Sequence, residues 1–275
     1  MRIKNLVLVV ILCIVMMSCS LHKRLAYDFV DNSKGAAVAF YVPNELKIEN
    51  IRKDCDPNNI DLVTLDEDQL RDTIDARNMI VNKIDEERFL DVMIASFEET
   101  LKDYNLELEY WENETAKPDS MHWVVDLSHI EVTELVEHLL THCGVDGNYE
   151  FLPSTTVNVA SWFELVNDEN SHLLFTEQNY GEYIIDCYYT LDTANNLVVN
   201  AEFQRLSIDG FYDFAVMLGK LYAGYTYDFF MNDYVRKEMI RKEKDYDEEY
   251  MYLRYNPYES FIYGTYKDKL IRMEE

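Results

Sequence analysis

Two long segments of helical periodicity, separated by several alternating segments, constrain the fold of this chain most strongly. In residues 85–104 and 209–244, apolar side chains recur at three- and four-residue spacing, which gives each predicted helix one apolar face. Asp85 is a suitable N-cap, and the two acidic residues after it complement the positive end of the helix dipole. Both helices must bury their apolar faces, so the fold needs a second layer that covers them.

The segments between these helices alternate between apolar and polar residues, which predicts that the second layer is a β-sheet. In the clearest case, residues 155–166, Phe163 points to one side of a strand and Trp162 to the other. Turn residues then return the chain as a hairpin. Other strands are predicted at residues 37–42, 106–111 and 121–133. Residues 183–191 and 197–203 are compatible with two more strands, and residues 134–154 are predicted to be a polar connector. The order predicts an α+β two-layer sandwich, with a mainly antiparallel sheet and two main helices packed on one face.

Small residues form a strip along the second helix. Ala215, Gly219 and Ala223 recur every four residues, so another backbone can approach the helix closely there. We expect this strip to pack on the sheet, because charged residues interrupt the helix too often for a membrane span.

The N-terminus has the pattern of a secretory signal. Arg2 and Lys4 precede an uncharged apolar run over residues 6–17, and the small Ser18 stands directly before Cys19. The run of 12 residues is shorter than the ~20 needed to span a bilayer. This arrangement resembles the lipobox of bacterial lipoproteins. The alternative, an ordinary cleaved signal that leaves a free Cys19 thiol, stays open.

The lipobox resemblance implies an anchored protein. In that family the signal is cut before the Cys, the thiol is diacylated and the new amine is acylated, and three acyl chains hold a protein in a membrane nearly permanently. Ser20 stands where an Asp favours the inner membrane, and the residues after it are basic. The resemblance therefore implies an outer-membrane protein that faces the periplasm. The predicted organisation is a signal peptide (1–18), a lipidated tether (19–36), an α+β domain (37–244) and a Tyr-rich acidic tail (245–275).

Charge and composition exclude several classes of function. Without Arg2 and Lys4, 23 basic residues face 52 acidic ones, for a net charge of −29. This field repels nucleic acid and anionic headgroups, so neither is expected as a direct partner. The eight glycines form no phosphate-binding loop or nucleophile elbow, and we expect no cofactor.

Three residues form the one metal-like constellation. If their segment is helical, His138 and His142 lie at i and i+4 on one face beside Cys143, a geometry that zinc accepts. The pattern lacks the catalytic Glu of H-E-x-x-H, and we expect no metal site. Two of Cys55, Cys143 and Cys187 can form a disulfide, which the sequence leaves open, but their wide spacing resembles no disulfide framework and favours buried small side chains.

Acidic pairs and tail tyrosines are the remaining candidates for function. Glu107 and Glu109 alternate on a strand and could serve an envelope hydrolase, but 52 acidic residues produce such pairs freely, and we expect no enzyme. The last 35 residues hold seven tyrosines. Tyr252, Tyr255 and Tyr258 are the predicted partner-binding residues, since tyrosine is favoured at interfaces. The alternative is a tail that wraps its own domain and covers a sheet edge.

The order of elements resembles the periplasmic auxiliary lipoproteins of envelope transport, which include ABC-transport auxiliary and lipopolysaccharide-assembly lipoproteins. That resemblance implies a small domain without catalytic residues that binds a transporter, an outer-membrane protein or a lipid. The expected function is thus that of a lipid-anchored accessory protein with an envelope protein partner, and a surface glycan-binding lipoprotein is the alternative. The matching segments are the strand 37–42, the helix 85–104, the strand segments 123–127 and 162–165, and the helix 209–244.

Overall fold

The computed structural model describes residues 21–43, 45–50, 66–69, 72, 80–110, 123–143, 148–167, 170–180, 187–191, 198–203, 206–242, 244, 252–265 and 270–273. Its helices are α1 (21–32), α2 (Glu86–Asp103) and α3 (Ile208–Arg241), with a short helical segment at 67–69 and a 3-10 turn at Val81–Lys83. Its strands are β1 (Ala37–Tyr41), β2 (Lys47–Asn50), β3 (Glu107–Tyr110), β4 (Trp123–Cys143), β5 (Asn148–Asn167), β6 (Asn170–Asn179), β7 (Cys187–Leu191), β8 (Val198–Phe203), β9 (Tyr252–Asn256), β10 (Phe261–Thr265) and β11 (Ile271–Arg272).

Seven strands form one sheet in the order β11-β6-β5-β4-β1-β3, with β2 also paired to β4. The long β4–β5 and β5–β6 pairs and the short β11–β6 pair are antiparallel, whereas β1, β2 and β3 join by short parallel pairs. Strands β7 and β8 form a separate hairpin, and so do β9 and β10. The predicted α+β class with a mainly antiparallel sheet is confirmed.

Helices α2 and α3 pack on one face of the sheet, which we call the inner face. They begin near the predicted positions because both have side-chain caps. The Asp85 carboxylate accepts a hydrogen bond from the Arg88 N–H at 3.1 Å, and the Ser207 hydroxyl accepts one from the Gly210 N–H at 3.0 Å. On the sheet side of α3, the Tyr222 hydroxyl lies 2.8 Å from the Ser161 hydroxyl in the core.

Gly219, the middle residue of the small-residue strip of α3, contacts α2, so the expectation that the strip packs on the sheet was wrong at this position. A Cβ atom added to Gly219 would lie 2.2 Å from the Met93 carbonyl oxygen and 2.9 Å from the Phe97 nitrogen, both in the backbone of α2. The Ser96 hydroxyl also donates to the Val216 carbonyl at 2.7 Å. The sheet side of α3 is occupied by large side chains, so the small residues are left for the contact between helices.

The segment predicted as a tether contains α1, which is part of the domain. Leu25, Ala26, Phe29 and Val30 are all buried. Their spacing puts them on one face of the helix, and this face packs into the core even though the segment as a whole is polar. The Phe29 ring lies 5.4 Å from that of Trp123.

In the predicted polar connector 134–154, residues 134–143 and 148–154 are instead strand, because β4 and β5 continue to pair with each other there. β2 pairs with β4 as far as Glu134, and β6 pairs with β5 from Asn158 onward. Beyond those positions, in the part of the chain that the structure describes, β4 and β5 pair only with each other, up to the Cys143–Asn148 pair. Mutual pairing uses the backbone groups on one edge of each strand and leaves those on the other edge to water, so a polar composition is compatible with strand formation here.

Candidate partner-binding surface

The outer face of the sheet is accessible where the inner face is buried. In the centre of β5, Val159, Phe163 and Leu165 point inward and are at most 1% exposed. The residues between them, such as Trp162 and Glu164, point outward and are partly exposed. The two faces therefore differ as the alternation in the sequence predicts, and within the described part of the chain the outer face is partly accessible.

Three rings cross this outer face from strand to strand, and we call His129, Trp162 and Phe175 the aromatic stripe. The ring centroids of His129 and Trp162 are 5.0 Å apart, as are those of Trp162 and Phe175. Ile271 of β11 lies directly opposite Phe175 in the register and is 62% exposed. The stripe with Ile271 thus extends over four neighbouring strands.

A β-bulge brings the first ring into the stripe. The pairing of β4 with β5 shifts between Leu127 and His129, so Ser128 is an extra residue in β4. In a regular strand, Leu127 and His129 would point to the same face. The bulge reverses the alternation, so that Leu127 points inward and His129 points outward next to Trp162.

Acidic side chains border the stripe on the outer face. Asp126 lies directly opposite Glu164 in the register of β4 and β5. Two carboxylates at opposed positions make this part of the outer face negative, and the Glu164 carboxylate also accepts a hydrogen bond from the Ser171 hydroxyl. Glu131 lies on the other side of His129 and accepts a hydrogen bond from the Lys47 ammonium at 2.9 Å. The surface therefore combines an aromatic centre with a mainly negative border.

The three predicted tail tyrosines have different environments. The Tyr255 ring is 9% exposed and lies 5.7 Å from that of Tyr227, so it belongs to the core. Tyr252 is partly buried in β9. Tyr258 is 79% exposed, and its hydroxyl donates to an Asp103 carboxylate oxygen at 2.6 Å, which raises the pKa of Tyr258. Only Tyr258 is placed to contact a partner freely.

Two buried polar residues of α3 hold the tail in this position. The Asn232 amide donates to the Leu253 carbonyl at 2.8 Å and accepts from the Leu253 N–H at 2.9 Å, as a neighbouring strand would. One turn earlier, the Asp228 carboxylate accepts from the Tyr255 N–H at 3.0 Å. We call Asn232 and Asp228 the clamp. In the sequence, the signal for the clamp is that polar residues interrupt the apolar run of the helix.

The metal-like residues do not have the helical geometry on which the zinc hypothesis depended. His138, His142 and Cys143 all lie in β4, and their side chains are outside the described residues. In a strand, four residues span about 13 Å, whereas one helical turn spans about 5 Å. Among the residues that the structure describes, no three His, Cys, Asp or Glu side chains cluster as metal ligands.

The acidic pair considered for hydrolysis lies on the edge strand β3. Glu107 and Glu109 are both exposed there. Cys19, the predicted lipidation site, and Cys55 lie outside the described residues.

No protein-family model matches the chain, and the curated proteins give no match either. Within the described ranges, none of the helices combines the length and apolar character needed to cross a bilayer.

Proposed function

We propose that this chain is a lipid-anchored envelope lipoprotein whose outer sheet face binds a protein partner. In this proposal Cys19 carries the lipid, the domain faces the periplasm from the outer membrane, and the protein acts as a non-catalytic accessory or assembly factor. The observation that supports partner binding most directly is the aromatic stripe, whose three rings are partly exposed on the outer face of the sheet. Aromatic rings that remain accessible in the middle of an ordered sheet are typical of the centre of a protein interface.

The chemistry of the stripe indicates the kind of partner. An apolar centre bordered by carboxylates complements a surface with an apolar centre and a basic border, and this complementarity also raises the association rate. A flat sugar ring would need one aromatic face presented broadly to solvent. Neighbouring rings of the stripe are instead tilted by 49° and 55°, which produces a ridged surface suited to interdigitating side chains. The stripe thus favours a protein over a glycan.

The position of α1 supports close anchoring. Its first described residue is Leu21, two residues after Cys19, and the buried side chains of α1 begin with His22. Two residues span at most about 7 Å, so a lipidated Cys19 would hold the domain directly at the membrane surface.

The test is a crosslinking pull-down of the mature protein from native membranes, with Cys19→Ala and Trp162→Ser as variants. We expect a defined envelope protein that is lost without the anchor and reduced about 30-fold without the Trp162 ring, as truncation of a central aromatic residue costs about 2 kcal/mol.

Tyr258→Ser is the matched control, because it removes an exposed aromatic ring that lies outside the sheet. Circular dichroism first establishes that each variant is folded. Recovery of the partner with Trp162→Ser but not with Tyr258→Ser would show that the tail, and not the stripe, is the binding surface.

A further inference from the structure

A second exposed apolar surface lies on the β9–β10 hairpin. Phe261 and Tyr263 are 48% and 41% exposed, and as alternate residues of β10 they point to the same side. Their rings stack with centroids 6.4 Å apart and planes within 10°. Tyr27 of α1 is 38% exposed beside them. We call Tyr27, Phe261 and Tyr263 the hairpin surface.

This surface is attached to the first turns of α1. The Lys23 ammonium lies 5.3 Å from the centroid of the Phe261 ring, a cation–π distance. The Tyr27 hydroxyl accepts a hydrogen bond from the Ile262 N–H at 3.3 Å. Ile262 is itself fully buried, and the Asn232 clamp holds the neighbouring strand β9. The two aromatic rings therefore have a fixed position relative to α1.

The short distance to Cys19 determines what this surface can contact. Lys23 follows Cys19 by four residues, of which the last two steps lie in α1. Two helical steps and two extended steps together span at most about 10 Å of backbone. A lipid on Cys19 would therefore bring the bilayer surface to the part of α1 that contacts Phe261.

We propose that the hairpin surface lies in the headgroup region of the membrane and fixes the orientation of the domain. This inference rests on the proposed function, because it requires a lipid on Cys19. Aromatic rings are enriched at the depth of the headgroups, and lysine side chains extend their ammonium groups into the same region. Lys23 and the exposed Arg24 give this end of α1 a positive charge, which opposes locally the repulsion between the acidic chain and anionic lipids.

A lipid occupant requires only a small surface here. A protein that is held by acyl chains needs little additional affinity for the membrane, so three aromatic side chains are sufficient as a second contact beside a covalent anchor.

The test places a photoreactive residue, p-benzoylphenylalanine, at position 261 of the lipidated full-length mature chain. The protein is reconstituted into vesicles of phosphatidylethanolamine and phosphatidylglycerol, irradiated and analysed by mass spectrometry. The matched control carries the same residue at position 173, where Leu173 is 47% exposed on the outer sheet face. We expect about tenfold more lipid adducts from position 261 than from position 173, as expected for an aromatic side chain held at headgroup depth.

The mass of the N-terminal peptide separates the two proposals. If Cys19 carries acyl chains and position 261 gives no more lipid adducts than position 173, the hairpin inference is overturned and the anchor stands. Adducts from position 261 to protein in place of lipid would overturn it in the same way. An unmodified Cys19 in the chain purified from its native membranes would overturn both proposals.

Discussion

A single added methyl group at Gly219 is predicted to force α2 and α3 apart. In Gly219→Ala, the new Cβ atom would lie 2.2 Å from the Met93 carbonyl oxygen and 2.9 Å from the Phe97 nitrogen. A carbon and a carbonyl oxygen in favourable contact are about 3.3–3.6 Å apart, so the helices must separate by about 1 Å. Both opposing atoms belong to the backbone of α2, and no rotamer change can move them away.

The expected cost follows from this separation. Overpacking a well-packed core typically costs about 1–3 kcal/mol, and the upper end applies because contacts along both helices weaken by a quarter to a half when a gap of about 1 Å opens. Alanine is a better helix former than glycine by about 1 kcal/mol, which offsets part of the loss. The net destabilisation should be about 2 kcal/mol, equivalent to a fall in Tm of roughly 4–8 °C for a chain of this size.

Gly224→Ala is the matched control, since it makes the same change five residues later in the same helix. Its Cβ atom would meet only the Tyr104 hydroxyl, at 3.2 Å, and this side-chain end can shift by a few tenths of an ångström. We therefore expect Gly224→Ala to be neutral or more stable by up to about 1 kcal/mol. The assay is urea unfolding followed by far-UV circular dichroism. Equal stability of the two variants would refute the close contact between α2 and α3.

Two further predictions concern buried polar side chains. Asn232→Ala leaves the backbone N–H and C=O of Leu253 without their side-chain partners. We therefore expect the free energy of unfolding to fall by about 1–3 kcal/mol and hydrogen exchange to become faster in β9 and β10. Unchanged exchange in these strands would argue against the clamp. Burial and the neighbouring Arg272 guanidinium lower the pKa of His172, which favours its neutral form in the folded chain. Its contribution to stability is therefore complete above the ordinary histidine pKa of about 6.5 and is lost as the pH falls through the lowered value. Urea unfolding at several pH values between 7 and 5 should show a steeper loss for the natural chain than for His172→Gln, and parallel pH profiles would contradict this assignment.

The sequence predicted α2, α3 and the sheet because their signals are local, whereas α1 lies in the segment predicted as a tether. Asp85 caps α2 where the periodic pattern begins, and the alternation in β5 separated Phe163 from Trp162 on opposite faces. The same alternation placed Trp162 on the face that carries the polar Glu164. It did not reveal the aromatic stripe, because the bulge at Ser128 is what turns His129 to the outer face beside Trp162. A bulge of one residue cannot be recognised from the composition of the strand.

Long-range contacts explain the other differences. Tyr255 looked like an exposed interface residue because its neighbours in the sequence are charged, but Asp228 and Asn232 dock its strand on α3. Ile271 pairs with Phe175, which lies nearly a hundred residues earlier in the chain, and this pairing places β11 at the edge of the sheet. The alternative interpretation of the tail, that it covers a sheet edge of its own domain, expected such a position. Such pairings depend on which surfaces remain open after the core forms, and periodicity within one segment carries no information about them.

Photocrosslinking from position 175 in living cells tests the central claim, that an anchored domain presents its outer sheet face to an envelope protein. Phe175 lies in the aromatic stripe. The control position is the exposed Glu107 on β3, the strand at the opposite edge of the sheet from β11. With p-benzoylphenylalanine at each position, we expect one discrete protein adduct from position 175, none from position 107, and loss of the adduct in the Cys19→Ala background. No adduct from position 175, or the same adducts from both positions, would contradict the account.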